Sequence, residues 1–353
     1  MNKKRLAILT IAALLVGATI SLLVRTPQPS AGHTELVIVG FGGTYQDLQK
    51  RVLFDPFAES VNVNVRSVAY SGEYGQLAAN IRAKTNNWDV VQVESSFLLR
   101  AAQEELLESI DYDAVGDVGL LPRAKHPYGV AHIGWSTVLC WNTERIPEDS
   151  PAPASWNALW DTESYPGLRE LRKTPRGNLE LALLADGVPA DELYPLDVER
   201  ALRKLGDIKP LIDWWTSGAE SQQKLLGSAT LGALWNGRVW ALRRDGKPVA
   251  MSLAQQIVDY DWWVIPKGRT NANGELPTDF LRFACSPERQ AEIARNYGYA
   301  PTVKEAFRFL EESQITDMPT ADANLSRGVF FDAQWWAENE EQVGVRWSVW
   351  LLE

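Results

Sequence analysis

Short apolar segments alternate with helical patterns along this chain, and that alternation limits the possible folds more than any other feature. Residues 35–40 (ELVIVG) form an apolar run that predicts a buried strand. A glycine-rich turn follows at 41–45, and the spacing of Leu48, Val52 and Phe57 then predicts an amphipathic helix. Because strand, turn and helix recur in this order, the sequence predicts an α/β fold with a largely parallel sheet.

The same alternation continues to the end of the sequence. Further strand patterns lie at 64–68, 88–93, 128–133, 136–141, 248–253 and 261–265. Further helical patterns lie at 74–84, 95–107, 190–227 and 331–352. Open α/β sheets bind ligands beyond the carboxyl ends of their strands. We therefore expect the binding site among the turn at 42–45, the strand end at 94–96, and the segments 235–240 and 259–263.

The amino terminus has the pattern of an export signal. Basic residues at positions 3–5 precede an uncharged run of nineteen residues at 6–24, and small residues follow at 30–32. This pattern predicts a signal peptide over 1–32, cleaved after the last of those residues. The alternative is an uncleaved inner-membrane anchor, because nineteen apolar residues can also span a bilayer. In both cases the rest of the chain lies in the periplasm or outside the cell.

The exported body is strongly acidic. The formal net charge is −10, and residues 1–32 contribute four basic side chains and no acidic one, so the remainder stands at −14. Nucleic acid is excluded as a partner because its phosphates require a basic surface. A cationic partner suits this charge better. Fifteen tryptophans are an unusual number, and aromatic faces can stack on ligands or lie over cations.

Cysteine, histidine and motif patterns argue against a metal site and against catalysis. Cys140 and Cys285 lie in apolar contexts that predict buried thiols. The alternative is a disulfide between them, because an exported protein lies in an oxidising compartment. The three histidines lack metal-ligand spacing, so we expect neither a metal nor a cofactor. The sequence has no Gly-x-Ser-x-Gly motif, phosphate loop or dinucleotide fingerprint. A secreted hydrolase using Glu94 and Asp261 is the less favoured alternative.

Five segments, in order, carry a resemblance to a known family: 41–50 (FGGTYQDLQK), 87–94 (NWDVVQVE), 155–160 (SWNALW), 234–238 (LWNGR) and 259–268 (DYDWWVIPKG). They resemble the periplasmic solute-binding proteins of bacterial ABC importers, in the spermidine/putrescine-binding branch. The resemblance implies a two-lobed, type II periplasmic-binding-protein fold with hinge crossings near 132–139 and 259–262. Lobe one is then 33–136 plus 261–302, and lobe two is 137–260 plus 303–353. It also implies a monomer that delivers its solute to a membrane permease.

The resemblance implies a polyamine ligand, such as putrescine or spermidine, in the cleft between the lobes. Such a ligand needs carboxylates for its ammonium groups and aromatic faces along its methylenes. The ligand-binding positions carried over from the family are Thr44, Tyr45, Glu94, Trp235, Asp259, Asp261 and Tyr299. Asp261 matches the amine-binding aspartate, and Asp259 lies on the same side of the strand. Core packing is the alternative for Tyr45 and Trp235, and helix capping is the alternative for Glu94.

One segment departs from the polyamine pattern. Where the spermidine binders place a pair of acids, this chain reads TPRGNLE at 174–180, with Arg176 among them. An arginine fork favours a carboxylate or phosphate. The alternative ligand is therefore a zwitterion, such as an amino acid, an opine or an aminophosphonate, with its amine at Asp261 and its acid at Arg176. Arg176 could instead pair with Glu180 along a helix. A sugar stacked on the tryptophans is less favoured.

Overall fold

Ten strands form one mixed sheet in the computed structural model, which describes residues 35–353 except 71, 73, 117, 147, 271 and 272. The strands are β1 (Glu35–Gly40), β2 (Asn64–Ala69), β3 (Val90–Glu94), β4 (Lys125–His126), β5 (Gly129–Asn142), β6 (Leu168–Arg172), β7 (Ile212–Trp215), β8 (Ala229–Trp235), β9 (Val249–Val264) and β10 (Val329–Phe330). Their order is β2-β1-β3-β9-β5-β8-β6-β7, with β10 beside β9 and β4 beside β5. The predicted signal at 1–32 lies outside the described residues.

Two long antiparallel strands, β5 and β9, hold the two halves of this sheet together. The end of β9 pairs with β3, in a register that sets Asp261 opposite Glu94, while β5 pairs with β8 over 137–141. The ladder between β5 and β9 shifts register near Ala131 and Thr137, and such irregularities bend a sheet. The hinge crossings implied by the resemblance fall on these two strands. The lobe boundaries themselves stay a prediction.

Fourteen α-helices accompany the described strands. They are α1 (Gly43–Gln49), α2 (Asp55–Val61), α3 (Tyr74–Arg82), α4 (Ser95–Gln103), α5 (Tyr112–Val115), α6 (Asn178–Ala185), α7 (Val198–Gly206), α8 (Gly218–Gly227), α9 (Asn236–Arg244), α10 (Leu276–Ala284), α11 (Pro287–Tyr297), α12 (Glu312–Ile315), α13 (Asp322–Leu325) and α14 (Ala333–Leu352). A π-helical turn joins α1 to α2, and five short 3-10 helices complete the secondary structure. None of these described helices combines the length and apolar character needed to cross a bilayer.

Three predicted elements differ from the structure. The helical pattern at 190–227 contains a strand, β7, whose isoleucine and tryptophans pair in parallel with β6. β-branched and aromatic residues fit a pleated, half-buried surface, so sheet pairing prevails over local helical spacing. The strand pairs predicted at 128–141 and at 248–265 are in fact the single strands β5 and β9.

Both cysteines, Cys140 and Cys285, are buried free thiols in the structure.

Candidate functional site

A cleft of about 670 Å³ lies at the carboxyl ends of strands from both halves of the sheet. Phe41 follows β1 and Tyr70 follows β2, while Glu94 ends β3. On the other side, Arg172 ends β6 and Trp235 ends β8. All five side chains line the cleft. Their position agrees with the rule that open α/β sheets bind ligands beyond these strand ends.

Asp261 is a buried carboxylate that no cation neutralises within the described chain. Its residue is only 6% exposed. One carboxylate oxygen accepts a hydrogen bond from Trp135 Nε1 at 2.8 Å, and the other accepts one from Gln92 Nε2 at 2.7 Å. Burial raises the pKa of Asp261 well above its ordinary value, and Glu94 raises it further. A buried acid that lines a cleft without a counterion is a strong candidate for a ligand contact.

Arg176 forms the centre of a second charged group. Its Nη1 donates to Glu94 Oε2 at 2.5 Å and to Ser96 Oγ at 3.1 Å, and its Nη2 donates to Asp259 Oδ2 at 2.8 Å. The guanidinium carbon lies 4.9 Å from the centre of the Phe331 ring. Although burial opposes it, Glu94 and Asp259 hold the pKa of Arg176 above its ordinary value. Two carboxylates therefore already share one cation supplied by the chain.

Two alternatives from the sequence are wrong for this group. Glu180 does not pair with Arg176, because its carboxylate accepts hydrogen bonds from Tyr194 Oη, Trp336 Nε1 and the backbone NH of Gly177. The helix α6 begins only after Gly177, so Arg176 precedes it and the helical spacing does not apply. Glu94 does not cap α4 through its side chain, which the salt bridge to Arg176 takes up instead.

Two further arginines line the cleft without an ion pair to any described acid, and the sequence analysis missed both. Arg238 has a buried Nε with no hydrogen-bond partner in the described structure. Arg172 lies with its guanidinium carbon 5.1 Å from the Trp235 ring, and burial lowers its pKa. Arg238 lies in the first turn of α9, whose N-cap is Trp235 at the end of β8, and no local spacing marks it as a cleft residue. Nothing local distinguishes Arg172 from the fully buried Arg169.

Aromatic rings form a wall of the cleft beside Asp261. Tyr45 is buried and meets Tyr299 edge-on at 5.3 Å between ring centres, while Tyr297 lies 5.1 Å from Tyr45. Burial raises the pKa of Tyr299, its neighbour Tyr297 raises it further, Asp261 also raises it, and Arg238 lowers it. Tyr45, Tyr299 and Asp261 all line the cleft, so these rings and the carboxylate face the same space.

Most of the predicted ligand positions meet in this cleft. The lining includes Tyr45, Glu94, Arg176, Trp235, Asp261 and Tyr299. Asp259 is not in the lining and lies against Arg176, where its other oxygen accepts a hydrogen bond from Ser95 Oγ. Thr44 is exposed and also lies outside the lining, with its hydroxyl 3.4 Å from Tyr297 Oη. Which of these residues contact a ligand stays a prediction.

Comparisons with known proteins show the family to which this chain is similar. The family model described as bacterial extracellular solute-binding protein matches residues 53–324. The gamma-aminobutyric acid-binding protein of Pseudomonas aeruginosa is 34% identical over 327 residues, covering 91% of this chain and 92% of that protein. A solved GABA receptor is 37% identical, with a TM-score of 0.83 over 90% of this chain and 98% of that one. The spermidine/putrescine-binding periplasmic protein of Escherichia coli is 23% identical over 278 residues, 76% of this chain and 78% of that protein.

Proposed function

The chain belongs to the family of bacterial extracellular solute-binding proteins, and we propose that its solute is a small zwitterion such as γ-aminobutyrate (GABA). It is the substrate-binding protein of an ABC importer, with the periplasmic location that the family implies, and it is a receptor and not an enzyme. One observation carries the proposed solute class. Among the described residues, the cleft holds a buried carboxylate that no cation pairs with, Asp261, and two guanidiniums that form no salt bridge, Arg172 and Arg238, of which Arg238 has a buried Nε without an acceptor.

Asp261 is placed to receive the ammonium group. Each carboxylate oxygen already accepts one hydrogen bond, from Trp135 and from Gln92, and an ionised carboxylate offers about four acceptor positions in all. The remaining positions can accept charge-assisted bonds, which are roughly twice as strong as neutral ones. An incoming ammonium supplies the counterion that the buried carboxylate lacks. Capture of an amine at this point offsets the cost of keeping Asp261 out of water.

Arg238 is placed to receive the carboxylate group. Its planar fork suits a carboxylate, and its buried Nε lacks an acceptor. The amino terminus of α8, at Ser217 and Gly218, lines the same cleft and favours negative charge. Asp261 and Arg238 line the same cleft, so one ligand with an amine and an acid can reach both. This favours a solute that carries both charges over one with a single charged end.

The charge balance of the inner cleft disfavours a polyamine. Three acids line the cleft, Glu94, Asp261 and Glu340, and a fourth, Asp259, lies against Arg176. Four guanidiniums, those of Arg100, Arg172, Arg176 and Arg238, oppose these acids. A zwitterion leaves this balance unchanged, whereas putrescine brings two uncompensated positive charges. The similarity to GABA-binding proteins supports the zwitterion, and the more distant similarity to polyamine-binding proteins supports the common fold.

We infer that binding closes the two proposed lobes, 33–136 plus 261–302 and 137–260 plus 303–353, about β5 and β9. Asp261 belongs to the first lobe and Arg238 to the second. A zwitterion that contacts both at once binds the closed form more tightly than the open one. That difference in affinity shifts the population toward the closed form. The closed receptor then presents its solute to a membrane permease.

A thermal-shift screen tests the solute class. The panel contains GABA, 5-aminovalerate and β-alanine, with putrescine and spermidine as competing candidates and butylamine and butyrate as half-ligands. At a hundredfold excess over its Kd, a ligand stabilises the folded state by about 2.7 kcal/mol. We expect stabilisation by the ω-amino acids and by neither half-ligand alone. Stabilisation by putrescine and spermidine but by no amino acid would overturn the proposal.

A further inference from the structure

We propose that Arg176 determines ligand specificity, because its guanidinium occupies a second cation subsite that a diamine would otherwise use. This inference rests on the proposed function, since it takes Asp261 as the site of the ligand's amine. A receptor with this subsite filled from within accepts one ammonium group from the ligand. It therefore selects amino acids against diamines.

The surroundings of the Arg176 guanidinium are those of a cation-binding site. Glu94 and Asp259 provide carboxylate oxygens at 2.5 and 2.8 Å, Ser96 provides a hydroxyl at 3.1 Å, and Phe331 provides an aromatic face at 4.9 Å. Carboxylates together with an aromatic face are what an organic ammonium ion requires. These groups come from β3, β9, α4 and the segment before α14, so they form the subsite independently of the loop that carries Arg176.

This subsite lies beside the proposed amine site. Asp259 and Asp261 are two residues apart on β9, which places them on one face of the strand about 7 Å apart. A four-carbon diamine can span a gap of this size with one ammonium at each carboxylate. Glu94 lies near both, because it faces Asp261 in the register of β3 and β9 and shares the Arg176 guanidinium with Asp259. Without Arg176, the three carboxylates would have no salt bridge to any described cation, and Arg172 would remain beside them in the cleft wall.

The loop that carries Arg176 is held firmly in place. Asn178 Nδ2 donates to the backbone oxygens of Arg172 and Thr174 at 2.6 and 2.7 Å. Gly177 has a φ of +87°, a conformation that favours glycine, and it turns the chain into α6. The Arg176 side chain is 10% exposed and that of Asp259 is 4% exposed. The guanidinium is thus a fixed part of the cleft wall and not a mobile surface charge.

Titration calorimetry on Arg176→Ala, with GABA and putrescine as probes, tests this inference. We expect the Kd for putrescine to fall at least about tenfold, because the vacated carboxylates can take the second ammonium. The affinity for GABA should not increase. Arg176→Lys retains a cation and should keep the original preference. Arg346→Ala is the matched control, because it removes a salt bridge to Glu199 outside the cleft.

Guanidinium ion provides an independent readout on the same variant. Millimolar guanidinium chloride should compete with putrescine in Arg176→Ala more strongly than sodium chloride does, and it should have no such effect on the wild-type protein. If Arg176→Ala fails to fold because Asp259 is left buried without a cation, the double variant Arg176→Ala/Asp259→Asn removes that charge. It keeps Glu94 and Asp261 for a diamine, so the same gain in putrescine affinity is expected.

The results separate the two proposals. A wild-type protein that binds GABA, with folded Arg176 variants that gain no affinity for putrescine, overturns the role of Arg176 and leaves the proposed function standing. A wild-type protein that binds putrescine tightly with Arg176 intact overturns both. A tenfold gain in the affinity of Arg176→Ala for putrescine, together with competition by guanidinium, supports the proposal that Arg176 fills a cation subsite.

Discussion

Asp261→Asn removes the charge of the buried cleft carboxylate while nearly preserving its size, and we expect it to weaken GABA binding at least about thirtyfold. The structure sets this magnitude. Asp261 is 6% exposed, and the neighbouring acids Glu94 and Asp259 are already engaged by Arg176. Removing one partner of a buried charge pair costs about 2–5 kcal/mol. Since each 1.4 kcal/mol is a factor of ten in Kd, the lower limit corresponds to about thirtyfold.

The same substitution should not destabilise the ligand-free protein. The asparagine retains an acceptor for Trp135 Nε1 but loses the hydrogen bond from Gln92 Nε2. It also removes a charge that is buried without a cation in the described structure, and that burial costs more than one hydrogen bond contributes. The thermal midpoint of Asp261→Asn should therefore equal or exceed that of the wild type. Loss of binding together with an unchanged or higher midpoint distinguishes a ligand contact from a folding defect.

Isothermal titration calorimetry with GABA at neutral pH and low salt measures the effect. Asp317→Asn serves as the matched control, because Asp317 is ion-paired with Arg243 outside the cleft. The control should bind as the wild type does. If Asp261→Asn binds GABA within about threefold of the wild type, the amine lies elsewhere and the reasoning from the unpaired carboxylate is refuted.

Two further predictions follow from the charges of the cleft. Arg238→Gln should weaken the affinity for GABA at least about tenfold, because it removes the counterion of the ligand's carboxylate. The weak binding of butylamine, which has no carboxylate, should stay unchanged. Calorimetry with both compounds measures the two affinities. The pKa of Asp261 is higher in the folded protein than in the unfolded chain, so the folded protein binds more protons. The ligand-free protein therefore loses stability at this carboxylate as pH rises through the folded-state pKa. Denaturation experiments between pH 8 and pH 5 should show that Asp261→Asn is more stable than the wild type, by a margin that shrinks as pH falls. Over the same range, the affinity of the wild type for GABA should weaken as pH falls. A difference in stability that does not depend on pH would contradict the raised pKa.

Local patterns predicted the strands that are buried on both faces but not the two long strands β5 and β9. β1 is a continuous apolar run, and its residues from Leu36 onward are buried as expected. Gly134 looks like a break between two strands, yet it lies within β5, where a Cβ would collide with the side chain of Thr320. The glycine there permits close packing and does not mark a turn. Only the tertiary structure distinguishes these two uses of glycine.

The chemistry of the site was predictable, but the pairing of its charges was not. The sequence placed acids and aromatic residues at strand ends, and most of them meet in the cleft. The partners of Arg176, Glu94 and Asp259, are 82 and 83 residues away along the chain, and no local spacing rule relates residues at that separation. The local candidate, Glu180, belongs to a helix that starts after Gly177. The two unpaired arginines were missed because nothing in a sequence shows that an arginine lacks an acid.

The class of ligand depends on which charges remain unpaired, and the number of acids in the cleft is a poor guide to it. Counting Glu94, Asp259 and Asp261 beside several aromatic rings favours a polyamine. Once Arg176 is seen to bridge the first two, Asp261 is the acid among them that has no partner cation, and Arg172 and Arg238 are the described cleft arginines without a salt bridge. We therefore expect that a single arginine on a fixed loop changes the preferred ligand from a dication to a zwitterion, with no change in the fold. Related receptors with the same acids but without this arginine should accordingly prefer diamines.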